Sequence, residues 1–95
     1  MTAEEFMREH AAKACSARIA EIMGDLTPQA LGQVGALLAG GPNPPKENTV
    51  VPVARNGEDY IFDVTYTGDG ATASMRETVR KIDGTWKVVN LAKPA

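Results

Sequence analysis

Three Asx-Gly dipeptides divide the second half of the chain into segments of similar length: Asn56-Gly57, Asp69-Gly70 and Asp83-Gly84. Both central residues of a tight type I′ turn have positive φ, which Gly adopts freely and Asn or Asp tolerates. Because alternating apolar residues flank each dipeptide, each one predicts a β-hairpin. The sequence therefore predicts four antiparallel strands in sequential order, near residues 48–55, 58–68, 71–82 and 85–92.

The first half of the chain predicts two helices. Thr2 and Glu5 have the spacing of a capping box, and an Ala-rich, Glu-rich run up to Gly24 favours one long helix near residues 3–23. Thr27, followed by a proline, predicts a second helix near residues 28–39. The apolar side of the long helix is expected to face the sheet and is made of Met7, Ala11, Ala12, Cys15, Ile19 and Ile22.

His10 falls on the polar side of this helical wheel, so its side chain is expected to be solvated. The expected fold class is α+β, with two N-terminal helices packed on a four-stranded antiparallel meander. With 95 residues, the chain is expected to form a single domain spanning residues 1–95.

The turns also predict which residues face each other across the strands, because a two-residue loop pairs the residues on either side of it. On the face toward the helices, Val53 should pair with Tyr60, Val64 with Met75, and Val79 with Val88. On the opposite face, the same register brings two pairs of opposite charge together: Asp63 with Arg76, and Asp59 with Arg80.

Composition argues against several classes of protein. The net charge is −2 and basic residues do not cluster, so nucleic acid is not an expected partner. Cys15 is the single cysteine, and no second Cys or His accompanies His10, so neither a disulfide nor a metal site is expected, and no cofactor is indicated. No signal peptide or membrane-spanning segment is recognisable, which predicts a cytoplasmic protein without a membrane partner; a removed secretion leader is the alternative.

The closing segment Arg80-Lys81-Ile82-Asp83-Gly84-Thr85-Trp86-Lys87-Val88-Val89 resembles the common ending of bacterial members of the nuclear-transport-factor-2-like, or cystatin-like, α+β superfamily. The order of helices and strands is similar as well. The resemblance implies a sheet whose concave face is covered by the helices. Enzymes of this superfamily place a carboxylate on that face, often with a Tyr or His; the matching types here are Glu77 with Tyr60, Tyr66 or His10. Compared with the catalytic members, the chain is expected to lack a third helix.

Glu77 is the sharpest anomaly, because strand alternation places its carboxyl group on the core face, opposite Phe62 and Asn90. One interpretation is a general base in an apolar pocket, where burial raises the carboxyl pKa; the other is a structural ion pair with Arg18. The candidate catalytic residue is therefore Glu77. The candidate ligand-binding residues are Tyr60, Phe62, Tyr66, Asn90 and Arg18.

Besides an accessory domain whose protein partner covers the concave face, two functions remain open from the sequence. The first is non-catalytic binding of a small apolar ligand or a protein partner by a homodimer. Its dimer interface would be the outer sheet face, where apolar residues surround the charge pairs: Val50, Pro52, Ile61, Val89 and Leu91. The alternative is a small isomerase, dehydratase or cyclase that uses Glu77 as general base. Both ligand-binding interpretations require a cavity of a few hundred Å³ beside this residue.

Overall fold

The computed structural model describes residues 1–94 and has three helices followed by a four-stranded antiparallel sheet. The helices are α1 (Ala3–Cys15), α2 (Ile19–Gly24) and α3 (Pro28–Leu38). The strands are β1 (Glu47–Asn56), β2 (Asp59–Gly68), β3 (Ala71–Ile82) and β4 (Thr85–Ala92), and they lie in sequential order. The α+β class and the meander are thus confirmed. Within residues 1–94, no helix has both the length and the apolar character needed to cross a bilayer.

The single long helix predicted over residues 3–23 is wrong, because the chain breaks after Cys15 and resumes as α2. The backbone N–H of Arg18 donates to Lys13 O, and that of Ala17 donates to Ala14 O, which is the Schellman pattern that ends a helix. Ala17 has a φ of 55°, a left-handed conformation that glycine usually supplies. Because no glycine stands at this position, no stop signal was recognisable there, and the break creates the third helix that was not expected.

The other predicted helix is confirmed as α3, where Thr27 accepts a hydrogen bond from the Ala30 N–H and Pro28 occupies the first turn. The turns at Asp69-Gly70 and Asp83-Gly84 are confirmed too. Each has positive φ at both residues, 47° and 80° in the first and 50° and 80° in the second. Both predicted charge pairs form: Arg76 contacts Asp63 at 2.8 Å and Arg80 contacts Asp59 at 2.6 Å.

The first turn differs from its prediction. Asn56 pairs with Asp59, so the turn residues are Gly57 and Glu58, and a bulge between Pro52 and Ala54 shifts the register again. The predicted facing of Val53 with Tyr60 is therefore wrong, since Arg55 is opposite Tyr60. As a further consequence, Val50 is buried in the core, whereas Val51 and Val53 are exposed.

A second irregularity lies between β3 and β4. Val79 pairs with Val88 as predicted, but a register shift next to it places Leu91, not Asn90, opposite Glu77. Local alternation cannot reveal a bulge, because the extra residue changes the facing of everything beyond it. Leu91 is consequently buried in the core instead of lying on the outer face.

The core lies between α1, α3 and one face of the sheet. From α1 it receives residues at helical spacing, namely Ala3, Phe6, Met7, His10 and Ala11. The sheet contributes a buried apolar set of Val50, Phe62, Val64, Tyr66, Met75, Val79, Val88 and Leu91. None of the residues of α2 is buried, so this helix lies at the margin of the core.

The connector between α2 and α3 is bonded to the edge of the sheet. The Thr27 N–H donates to Val88 O at 3.0 Å, the Val88 N–H donates to Asp25 O at 2.8 Å, and Leu26 forms an isolated parallel bridge with Val88. These bonds use backbone groups of β4 that face away from β3. They fix the position of Asp25 relative to the sheet, which matters for the site described next.

Candidate functional site

A cavity of about 590 Å³ lies between the helices and the sheet, within the size range of small-molecule sites. Its helical wall is apolar and consists of Ile19, Ile22 and Met23 from α2 and Leu31, Val34 and Leu38 from α3. The sheet forms the second wall of the cavity. The loop after α3 forms the third wall, with Pro42, Asn43 and Pro45. The loop packs closely on the sheet, since a Cβ added at Gly68 would lie 3.0 Å from Pro44 O.

The sheet side of this cavity contains a buried carboxylic acid. Glu77 lines the cavity together with Tyr66, Met75 and Leu91, and the residue is only 1% exposed. Its Oε2 atom has no hydrogen-bond partner within residues 1–94. Burial raises the pKa of Glu77 to about 7, a rise that the nearby His10 moderates. Its position on the core face, predicted from the two Asp-Gly turns, is confirmed.

His10 connects Glu77 to a second carboxylate. The predicted solvation of His10 is wrong: the residue is 4% exposed and its ring stacks on that of Phe6. Its Nδ1 lies 2.9 Å from Asp25 Oδ2, and its Nε2 lies 3.7 Å from Glu77 Oε1. The imidazole therefore sits between two acidic side chains, one on each ring nitrogen.

Asp25 is held as an ionised acceptor in this arrangement. Partial burial raises its pKa, but the hydrogen bonds from His10 and Lys13 together outweigh burial, so the pKa of Asp25 is lowered. Lys13 Nζ lies 3.1 Å from Oδ2. An ionised carboxylate can only accept hydrogen bonds, so His10 must donate from Nδ1. The hydrogen on Nδ1 therefore points to Asp25, and the Nε2 atom of His10 is the ring nitrogen that faces Glu77.

Tyr66 also lines the cavity and is 5% exposed. Burial raises the pKa of its phenol, and the negative charge of Glu77 raises it further. The phenol therefore stays protonated and can donate a hydrogen bond to a molecule in the cavity.

The other predicted ligand-binding residues lie outside this cavity. Tyr60 and Phe62 line a second, shallower cavity of about 660 Å³ near the first turn of the sheet, whose charged residues Glu4 and Arg55 are exposed. Arg18 is exposed and pairs with Glu21, so its predicted ion pair with Glu77 is wrong. The break after Cys15 is the reason, because it turns Arg18 away from the sheet.

Asn90 has a structural contact instead of the predicted place beside Glu77. Its Oδ1 accepts hydrogen bonds from Gln29 at 3.2 Å and from Gln33 at 2.9 Å, both on α3. Gln33 Oε1 in turn accepts from the Leu91 N–H at 2.7 Å. These bonds fasten α3 to the bulged part of β4 and thereby hold the cavity's helical wall.

Asp25 was missed from the sequence, and the helical wheel placed His10 in solvent, although the superfamily resemblance had named His10 as a possible partner of Glu77. A signal for His10 was present, since Ala3, Phe6 and Met7 precede it at the spacing of one helical stripe. This signal was not recognised, because the apolar side was assigned for one longer helix that extended past Ile22, and His10 fell on the polar side of that helix. No local signal marks Asp25, because only its backbone bond to Val88 brings it to His10.

Across residues 1–94, no three His, Cys, Asp or Glu side chains are arranged to hold a metal ion. In comparisons with known proteins, the chain matches no family model, no curated protein and no solved structure.

Proposed function

We propose that the domain binds a small, mostly apolar molecule in the cavity above Glu77. One observation carries this proposal: a cavity of about 590 Å³ with an apolar wall contains a buried carboxyl group whose Oε2 atom has no partner within residues 1–94. A buried polar atom without a hydrogen bond costs about 1–3 kcal/mol. A ligand that supplies this bond and fills the cavity would remove that cost.

Binding can be tested with the neutral fluorophore N-phenyl-1-naphthylamine, whose emission rises in apolar surroundings. The natural-sequence protein should enhance the emission saturably, and Val34→Trp should abolish the enhancement because the indole fills the cavity. Ile61→Trp, on the outer sheet face, is the matched control and should leave it unchanged. Equal enhancement by all three proteins would contradict the proposal.

The second candidate function is acid–base catalysis on the bound molecule, as in a small isomerase, dehydratase or cyclase. The specific observation in its favour is the series of Asp25, His10 and Glu77, with His10 atoms 2.9 Å and 3.7 Å from the two carboxyl groups. In such a reaction Glu77 Oε2 would accept a proton from the substrate. The proton between Oε1 and Nε2 would then reside on His10, and the ionised Asp25 would stabilise the imidazolium.

Catalysis can be tested by incubating cavity ligands with the protein in deuterium oxide and following deuterium incorporation at carbon by NMR. Glu77→Gln should abolish protein-dependent incorporation while the ligand still binds. Tyr66→Phe, which retains the base, should leave measurable incorporation. Incorporation that persists in Glu77→Gln would rule out Glu77 as the base.

We also retain the proposal that the chain belongs to the nuclear-transport-factor-2-like superfamily. Helices packed on one face of an antiparallel meander support it, together with the closing Trp86-Lys87-Val88 segment. A homodimer through the outer sheet face is a further proposal. It has less support than expected from the sequence, since Val50 and Leu91 belong to the core, and Pro52 is opposite the buried Phe62; Ile61 and Val89 remain for it. Sedimentation at high micromolar concentration tests it, and a monomer would overturn it.

A further inference from the structure

We propose that the cavity selects a neutral alcohol with an aliphatic body, whose hydroxyl group donates a hydrogen bond to Glu77 Oε2. This inference rests on the proposed function, because it specifies the ligand class of the same cavity. It follows from where the protons of the buried side chains must lie.

The first step concerns the orientation of His10. Asp25 accepts from both His10 and Lys13, at 2.9 Å and 3.1 Å, so its carboxylate is ionised and has no proton to give. The Nδ1 atom of His10 must therefore carry a hydrogen. The second ring nitrogen, Nε2, is left to interact with Glu77.

The second step concerns the proton between His10 and Glu77. Nε2 and Glu77 Oε1 lie 3.7 Å apart in the buried site, longer than a direct hydrogen bond but close enough for two facing lone pairs to repel and for one proton to make the contact attractive. We therefore assign one proton to this pair near neutral pH, either on Nε2 of an imidazolium or on Oε1 of a carboxylic acid. In both forms Oε2 carries no proton. It is an acceptor, and its ligand must be a donor; a ketone or ether does not satisfy it.

The third step concerns charge. The charges of Lys13 and Asp25 cancel, and His10 and Glu77 with one shared proton are neutral as a pair. An ammonium head group would bring an uncompensated charge into the buried site, and a carboxylate would face the unprotonated Oε2. A hydroxyl group supplies the required donor without either cost.

The last step concerns the body of the ligand. The cavity wall continues to the surface at four apolar side chains that are well exposed: Ile19 at 60%, Met23 at 48%, Leu31 at 39% and Leu38 at 44%. A chain or ring system that extends from Glu77 to this mouth would bury them, and apolar burial is favourable. The geometry therefore assigns the polar head to Glu77 and the apolar end to the mouth between α2 and α3.

The experiment compares four ligands that share one carbon chain: octan-1-ol, octan-2-one, octylamine and octanoate. Their dissociation constants are measured near neutral pH by NMR, following the side-chain methyl signals of Ile19, Met23 and Leu31. Octan-1-ol should bind at least about tenfold more tightly than the other three, since each of them leaves Oε2 unsatisfied or adds a charge. Glu77→Met, similar in shape but without an acceptor, should remove the preference over octan-2-one. Glu58→Gln neutralises an exposed glutamate in the first turn, outside the cavity, and should retain the preference.

The possible results separate this inference from the proposed function. Equal binding of all four ligands, or tightest binding of octan-2-one or octylamine, would overturn the alcohol preference while the cavity remains a binding site. An unchanged preference in Glu77→Met would overturn the assignment to Glu77. If that variant fails to fold, Glu77→Gln, whose amide can also donate to a ketone, should reduce the preference, and an unchanged preference there would overturn the assignment as well. If none of the four ligands moves the methyl signals, the proposed function fails and this inference fails with it.

Discussion

The Val88 backbone N–H donates to the carbonyl oxygen of Asp25 at 2.8 Å, and this bond places the carboxylate that orients His10. The connection is long in sequence, from the end of α2 to the last strand. The geometry of Asp25, His10 and Glu77 therefore depends on the edge strand β4 as well as on α1. A change in Asp25 should therefore affect both the stability of the protein and the tautomer of the His10 ring.

We expect Asp25→Ala to lower the free energy of unfolding by about 1–3 kcal/mol, because His10 Nδ1 would lose its acceptor in a buried position. In the natural sequence, ¹⁵N NMR of the His10 ring should show a hydrogen on Nδ1. In the variant this preference should disappear. Lys13→Ala is the control, since it leaves the His10 bond in place and should not alter the ring's NMR signature. An unchanged tautomer in Asp25→Ala would contradict the orientation of His10.

The charge pair of Asp63 and Arg76 can be tested by exchange of the two residues. Arg76 Nε donates to Asp63 Oδ1 at 2.8 Å, and Arg76 Nη2 donates to Oδ2 at 3.0 Å, on the face away from the helices. Either single reversal places like charges opposite each other and should lower the melting temperature. The double exchange should restore most of the loss; equal losses in all three variants would argue against a specific pair.

Much of the sheet was predictable, because the signals are local. Asp69-Gly70 and Asp83-Gly84 determine two turns, and the register next to each turn follows from strand pairing. The bulge in β1 and the register shift beside Val79 were not predictable, since a bulge depends on how strands twist over the core. Likewise, the break at Ala17 uses a residue that seldom marks a helix end.

The position of Glu77 in the candidate site was predictable from local signals, whereas the contacts of Glu77 with distant parts of the chain were not. Glu77 could be placed on the core face, because the two Asp-Gly turns flank β3 and set its register. The alternation of side chains along the strand then assigns each residue of β3 to one face of the sheet. The residues alone indicated the wrong partner, Arg18, because it was assigned to a helix that continues through position 17; His10 was named only through the superfamily resemblance. The actual partner, His10, depends on the shortened α1, and Asp25 depends on a backbone bond to Val88.

Ala17 offers a direct test of the helix break. Its φ of 55° places an L-residue in the left-handed region, which costs about 1–2 kcal/mol relative to the right-handed one. Ala17→Gly should relieve this strain and, after the entropy cost of glycine in the unfolded chain, stabilise the protein by up to about 1 kcal/mol. Ala12→Gly, at an exposed position inside α1, should instead destabilise by about 1 kcal/mol. Urea unfolding measures both, and a destabilised Ala17→Gly would mean that the break does not persist in solution.

The final prediction concerns Glu77 and the dependence of stability on pH. Burial raises the pKa of Glu77 from 4.5 to about 7, so between these values the folded state binds a proton that the unfolded chain releases. Stability from this group is therefore fully present below about pH 4.5 and is lost as the pH rises through about 7. The free energy of unfolding falls by roughly 3 kcal/mol over this range, because each unit of pKa difference is equivalent to about 1.4 kcal/mol. The lowered pKa of Asp25 acts in the opposite sense and below about pH 4, outside this range.

The measurement is urea unfolding at about pH 5 and about pH 8, the two sides of the Glu77 transition. The natural sequence should be less stable at the higher pH, and Glu77→Gln should lose most of that difference, because glutamine carries no ionisable group. Glu58→Gln, at an exposed position in the first turn, is the matched control and should keep the difference. If Glu77→Gln retained the full pH dependence, the carboxyl group would be titrating in contact with water, and the cavity site built on its burial would have to be abandoned.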